Sequence, residues 1–387
     1  MRRSAIARKL RRVDTALDKA IERSEIPGAV VLARMPREGE LLEHCSVRGL
    51  AVARPERIPM ARDTVFDLAS LTKPIATTTA VMLLAADGAL GLDDPVARHL
   101  PAFAERGKEA VTIRHLLTHS SGLKPWRPFH EVLLERDRKT LGPALLGTPE
   151  ARELVVDRIC RSALVHEPGT AAVYGDLDFI ALGALVESVS GKPLDELCQA
   201  RIFGPLEMRD TRFLRPPLGG GALPDAQRRR IAASENCPWR GRIVWGEVHD
   251  PNASAMGGVA GHAGLFATAD DVMRFAQTLL DVWHGRSQVW PRELVREFAR
   301  RQRLPETSDW ALGWDTPTPG ASSSGQHFSA DSIGHLGFTG TSIWIDLPRE
   351  AVVVMLTNRV HLVAKRSKFA LRPLVHDLVM EGLLSEA

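Results

Sequence analysis

Apolar positions along the chain change period repeatedly, and the changes outline the architecture. Near the start, Leu10, Val13, Leu17 and Ile21 recur at helical spacing, and Pro27-Gly28 ends the pattern, so the first segment is predicted to be an amphipathic helix lying on the domain. Next come "GAVVLAR" and "LLEHCSVRGLAV", two strand-like runs joined by the polar turn "PREGE". Thr72 to Ala86 then reads as a long helix. From "LGLDDPVARHLPAF" to "EMRDTRFL" the pattern breaks into short helices separated by Pro and Gly, among them "VTIRHLLTHSSG", "EARELVVDRICRSA" and "DLDFIALGALVESVSG".

Beyond the predicted loop "RPPLGGGALPD", "GRIVWGEV" is expected to be a strand. The stretch "ATADDVMRFAQTLLDVWHG" is expected to be a helix with Thr268 as its N-cap and Asp271 three residues on. After the surface loop "PTPGASSSGQ", the strands "SIWIDL" and "AVVVMLTN" precede a last amphipathic helix around Phe369 to Leu384. β segments at both ends enclosing a helical middle predict an α+β fold: one antiparallel sheet with strands from both ends of the chain, flanked by helices, and a mostly helical insertion. We place the α/β sandwich in residues 1–88 and 255–387 and the insertion in 89–254, with a cleft between the two parts.

Composition narrows the partners. The 387 residues are 44% hydrophobic, enough to bury a full core, and 50 basic against 47 acidic residues leave a net charge of +3. That balance excludes nucleic acid as the expected partner and favours a small molecule. Cys45, Cys160, Cys198 and Cys237 lie far apart, with neither zinc-site nor disulfide-scaffold spacing, which predicts reduced thiols in a cytoplasm. The basic N-terminus lacks the apolar core of a secretory signal. No run reads as the ~18 apolar residues of a membrane span.

Three short stretches carry candidate chemistry. In "FDLASLTKPIAT", Ser70 and Lys73 are three apart at the head of a helix, where both side chains share a face and the helix dipole favours negative charge on the serine oxygen. A desolvated neutral lysine can activate a serine, whereas the plain alternative is a helix cap beside a solvated lysine. A second S-x-x-K, Ser121 to Lys124, is interrupted by Gly122 and followed by Pro125, and serves as an internal control. Tyr174, the single tyrosine, sits in "VYGDLDFIALG" at a helix entrance, either as a packing residue or as an acid/base tuned by nearby cations. In "GHLGFTGTSIWIDL", His335 and Gly337 precede a strand, and a backbone N–H here would supply half of an oxyanion hole with the N–H of Ser70.

"SLTK", "YGD" and "HLG", in this order, resemble the three motifs of the serine β-lactamase and penicillin-binding-protein superfamily. The likeness is nearest the branch of class C β-lactamases, D-amino-acid-specific peptidases and carboxylesterases. "IPGAVVLA", "LLTHSSGL", "GALVESVSGKPL" and "GGVAGHAGLFATADDVMRFAQ" extend it over nearly the whole chain. The resemblance implies a β-lactamase/transpeptidase-like fold and an acyl-enzyme on Ser70, with Lys73 assisting its deprotonation. It also implies that Tyr174 shuttles protons and that the N–H groups of Ser70 and Phe338 hold the oxyanion.

Two departures bear on substrate. Asp176 replaces the amide donor of Y-x-N and can only accept when ionised. His335 replaces the permanent cation of K-T-G. Both point to a carboxylesterase or related acyl hydrolase acting on an ester, amide or lactam. The alternatives are a β-lactamase or D-stereospecific peptidase, or a non-catalytic sensor or structural protein on the same fold. No cofactor is implied. His249, Asp250 and His262 lie close in sequence, but without ligand spacing they predict no metal. Neither a Walker A loop nor G-x-S-x-G is present.

Overall fold

The computed structural model describes residues 2–139, 142–215, 223–320, 322–361 and 369–385. Its strands in chain order are β1 (Gly28–Arg37), β2 (Glu40–Val52), β3 (Ile58–Pro59), β4 (Phe66–Asp67), β5 (Arg212–Phe213), β6 (Asn236–Cys237), β7 (Arg242–Ile243), β8 (Leu265–Ala267), β9 (Ser332–Leu336), β10 (Ser342–Asp346) and β11 (Ala351–Thr357). The main sheet has the order β3-β2-β1-β11-β10-β9. Its named pairings are antiparallel, with β1 joining the two ends of the chain through pairs such as Val31↔Met355.

The sheet is apolar on both faces, which is why β1 and β11 read as continuous apolar runs rather than as alternation. Val30, Leu32, Val352, Val354 and Ile343 face the larger core. Val31, Ala33, Val353, Met355 and Trp344 face the other way, onto Val13 and Leu17 of the first helix, Arg2–Glu22, and onto Val375 and Val379 of the last, Leu371–Leu383. These two helices lie side by side, joined at the surface by Arg12 and Glu381 at 2.6 Å. The predicted antiparallel α+β sandwich with flanking helices is present.

The middle of the chain supplies the predicted short helices, including Ile113–Leu117, Pro149–Cys160 and Leu177–Ser190. Leu177–Ser190 buries residues on every side, Phe179, Leu182 and Leu185 among them, and runs through the centre of the molecule. Thr268 caps the helix Ala269–Trp283 by accepting from the N–H of Asp271, as expected.

Three details differ from expectation, and one expectation falls partly outside the described residues. "GRIVWGEV" yields only the two-residue β7, paired with β6, because the strand ends after Ile243 and the chain turns through Gly246, at φ +77°. Within "RPPLGGGALPD", residues 216–222 lie outside the described set. His335 precedes the strand of "SIWIDL", β10, as expected, but also lies inside a further strand, β9, that was not expected. The expected uniform helix from Thr72 is a 3₁₀ turn (Ala69–Leu71), then a π-helical stretch (Lys73–Thr78), then α-helix (Thr79–Ala86). Pro74 has no N–H to donate, so the regular i to i−4 ladder is broken at that point. By length and composition Ala69–Ala86, with mean hydropathy 1.2, could also cross a bilayer. Yet 83% of it is buried inside the fold, which makes it a core helix.

Candidate active site

The chain reaches Ser70 under tension. Ala69, just before it, has φ +49°, a region that β-carbon sterics disfavour. Asp67 holds this conformation from below: one carboxylate oxygen accepts from the N–H of Ala69 at 2.8 Å and the other from the N–H of His249 at 2.6 Å. Thr72 closes the turn by donating to the carbonyl of Ala69 at 2.6 Å.

Ser70 and Lys73 meet as the spacing predicts. The Lys73 ammonium donates to Ser70 Oγ at 3.0 Å, to the Tyr174 hydroxyl at 2.8 Å and to Asp176 Oδ1 at 2.8 Å. It has three protons and three side-chain acceptors, so its donor capacity is used. Lys73 is wholly buried. Burial alone would lower its pKa, but Asp176 and the Tyr174 oxygen outweigh that and raise it. The ion pair with Asp176 therefore favours the charged form of Lys73 at rest. Tyr174 moves up as well, chiefly because its hydroxyl end is withdrawn from water although 41% of the residue is exposed, against the opposing charge of Lys73, and its oxygen is within hydrogen-bonding reach of Ser70. The phenol is protonated at rest.

The glycine loop after β9 closes the site from the opposite side. Thr339 and Thr341 donate to the carbonyls of Asp67 and Leu68 at 2.8 and 3.0 Å, lacing residues 337–341 to the turn that carries Ser70. Gly337 has to be glycine, because a β-carbon there would lie 2.0 Å from Thr341 Oγ1 and 2.5 Å from the Leu68 carbonyl. Phe338 follows with its ring 60% exposed and stacked on His249 at 5.4 Å. His335 is buried and its pKa falls well below the ordinary value, through burial first and then the charge of Lys73. Its Nδ1 lies 2.9 Å from the Leu336 carbonyl, and its ring is 5.9 Å from that of Tyr174.

Sequence reasoning missed the surroundings of Asp176. His262 presents its carbonyl to Lys73 at 3.4 Å and its Nε2 to Asp250 Oδ1 at 2.9 Å. Burial would raise the Asp250 carboxyl, yet His262 outweighs it and holds the group below the usual carboxylate range. One donor atom from each of Asp176, Asp250 and His262 falls within 4.8 Å of the others, a spacing that could hold a metal ion. The trio keeps two of the residues weighed from sequence and replaces His249, which turns to Glu235 at 3.3 Å. Lys73 already supplies a cation to Asp176, so the donor set fits a metal poorly. The signal that could have found Asp176's role was its place two residues after Tyr174, facing a lysine that needs a counter-charge.

Aromatic side chains form the rim. Trp126, 46% exposed, follows Pro125, whose carbonyl accepts from the Asp176 N–H at 2.7 Å. Beyond it His130 bridges toward Trp239 at 5.7 Å.

An antiparallel sheet flanked by helices, with a serine–lysine–tyrosine cluster built around a buried lysine at its edge, defines the class of β-lactamase-fold serine hydrolases. The family model described as Beta-lactamase matches residues 13–376, and the chain belongs to that family. A provisionally named D-alanyl-D-alanine carboxypeptidase of Escherichia coli (strain K12) is 34% identical over 337 residues, 80% of this chain and 73% of that protein. A Salmonella typhi protein with the same provisional name is 32% identical over 325 residues, 77% and 70% of the two chains. Among solved structures, EstCE1, a hydrolase with promiscuous acyltransferase activity, superposes with TM-score 0.70 at 23% identity, over 97% of this chain and 99% of its own. The octameric penicillin-binding protein homologue from Pyrococcus abyssi gives 0.68 at 20% identity, over 96% and 76%.

Proposed function

We propose that the protein is an acyl hydrolase of the carboxylesterase type, working through a covalent acyl-enzyme on Ser70. The observation that carries this reading is the Lys73 ammonium, buried and shared among Ser70, Tyr174 and Asp176. As Ser70 Oγ bonds to the substrate carbonyl carbon, its proton passes to the Tyr174 oxygen, and the phenol's own proton passes to the departing alkoxide as the C–O bond breaks. Lys73 remains charged throughout and stabilises negative charge on Oγ and on the phenol oxygen. In deacylation a water gives its proton to Tyr174, which returns one to Ser70. The N–H groups of Ser70 and Phe338 would hold the oxyanion.

The charge pattern supports an ester without a free carboxylate. His335 is neutral where the family pattern has a cation, and Lys73 is engaged by Asp176 at 2.8 Å, so neither is left to bind a substrate carboxylate. The exposed rings of Trp126, Tyr174 and Phe338 suit an apolar acyl or alcohol group. A D-stereospecific carboxypeptidase is the second reading, favoured by the names of the relatives at 34% and 32% identity.

Incubation with p-nitrophenyl acetate and butyrate, a chromogenic cephalosporin and a D-alanyl-D-alanine peptide, followed by product release and intact mass, separates the readings. Turnover of the esters that disappears in Ser70→Ala, with the other two slow, is the expected outcome. Preferred release of D-alanine would establish the second reading instead, and equal behaviour of wild type and variant without any acyl adduct would overturn both.

A further inference from the structure

The segment "LLTHSSGL" contains a histidine that the mechanism above does not use. His119 is 2% exposed, has φ +56°, and lies directly behind Tyr174. Its carbonyl accepts from the N–H of Val173 at 2.8 Å, and its Nδ1 accepts from the N–H of Gly175 at 3.3 Å. The residues on both sides of the tyrosine are thus tied to one histidine. Its ring packs on the phenol ring, with centroids 4.8 Å apart, and Trp310 and Phe179 confine it at 4.6 and 5.2 Å.

We propose that His119 is a positioning residue for Tyr174: by clamping the backbone before and after the phenol, it keeps the hydroxyl against Lys73 and Ser70. This inference rests on the acid/base role proposed above for Tyr174.

The protonation states agree with the clamp. A backbone N–H donates only to an unprotonated nitrogen, so Nδ1 carries a lone pair and Nε2 the proton. The imidazole is held neutral, pushed down to about 3 by burial and then by the charge of Lys73. Asp178 Oδ2 lies 3.4 Å from the same Nδ1. Two acceptors would repel there, and a protonated carboxyl resolves the conflict. Burial raises Asp178 to about 8, against the hydrogen bond from Ser121. Among the described residues the charges acting on the ring are those of Lys73 and Asp176, with the Asp178 and His335 side chains shifted toward their neutral forms by burial.

The asparagine side chain places its amide oxygen close to where Nδ1 stands, and asparagine accepts positive φ readily, whereas glutamine places its oxygen nearer Nε2. We expect His119→Gln to lower kcat about 30- to 100-fold with KM changed by less than about threefold, and His119→Asn to stay within about fivefold of wild type. Because Tyr174 is the single tyrosine, protein labelled with ¹³Cζ-tyrosine gives one phenol resonance. That resonance should match between wild type and His119→Asn, and should shift or broaden in His119→Gln at equal melting temperature. Glutamine performing as well as asparagine, or both variants losing activity in step with melting temperature, overturns the inference. If wild type shows no Ser70-dependent turnover, the catalytic reading fails by itself, and an unmoved tyrosine resonance in His119→Gln would remove the clamp independently.

Discussion

Ser70 and Ser121 each stand three residues before a lysine, and their surroundings could hardly differ more. At the first, Lys73 is fully buried and reaches Ser70 Oγ at 3.0 Å. At the second, Ser121 is buried but donates to Asp178, while Lys124 points into solvent. Gly122 makes the difference. It has φ +82°, and a β-carbon there would lie 2.1 Å from the carbonyl of His166, so the chain turns sharply where a helix would have carried the lysine back over the serine. A three-residue spacing becomes chemistry only when the backbone between the two residues is helical.

The strongest way to break this comparison is to remove each hydroxyl. Ser70→Ala should lower ester turnover by about 10⁴-fold or more, while Ser121→Ala stays within about tenfold, measured as kcat/KM on the same ester. A comparable loss at both serines would erase the distinction. Next in size, Lys73→Met should cost about 10³-fold in kcat, and about 3 kcal/mol of stability because Asp176 loses its buried partner. Denaturant melts and steady-state kinetics read the two effects separately.

A smaller change tests the counter-charge. Asp176→Asn removes the strongest influence raising the Lys73 pKa while burial still depresses it, so that pKa falls. In the proposed mechanism Lys73 works as a cation. The variant should therefore lose activity as pH rises through the alkaline range where wild type does not, with about tenfold loss by pH 9. Activity that rises instead would make Lys73 a base. The regained amide donor should also speed acylation by the cephalosporin.

Asp178 gives a stability signature. Its carboxyl is raised to about 8 in the fold from a reference of 3.8, so the native state holds the proton more tightly than the unfolded chain. Its contribution is fully present below pH ~4 and is lost as pH rises to ~8, so wild-type stability should fall across that window and Asp178→Asn should flatten the slope. Ser121→Ala, which deprives that carboxyl of its donor, should cost about 1–3 kcal/mol. Smallest of all, Lys124→Met should leave activity intact and stability within about 0.5 kcal/mol.

Much of this was readable beforehand, for reasons that differ by element. β1 and β11 declared themselves because both faces of the sheet are covered, and Ala269–Trp283 because its cap and amphipathic stripe agree. β9 did not, since "SIGHL" has a glycine and a histidine where β-formers are expected, and pairing with β10 supplies what propensity lacks. The π-helical register at Lys73 arises from the loss of one N–H at Pro74 within a crowded core, which no periodicity encodes. Ser70, Lys73 and Tyr174 were legible as motifs, and the structure brings them together. The Lys73–Asp176 ion pair and the clamp at His119 were not, because they join segments 103 and 56 residues apart, and the Asp250–His262 pair was not, because nothing in its 12-residue spacing shows that the chain folds back on itself there.

The strand order β2-β1-β11-β10-β9 also sets a timetable. On the ribosome, Ser70 and Lys73 emerge early, together with β1 and β2, but the sheet edge that carries His335 and the Phe338 loop can dock only after β11 has paired with β1. Domains gain structure as the chain is made, and here the turn at Ala69 has only its local bonds to Asp67 and Thr72 until Thr339 and Thr341 arrive. A nascent or truncated chain would thus lack the loop that laces the serine turn to the sheet edge until the last strands are threaded in.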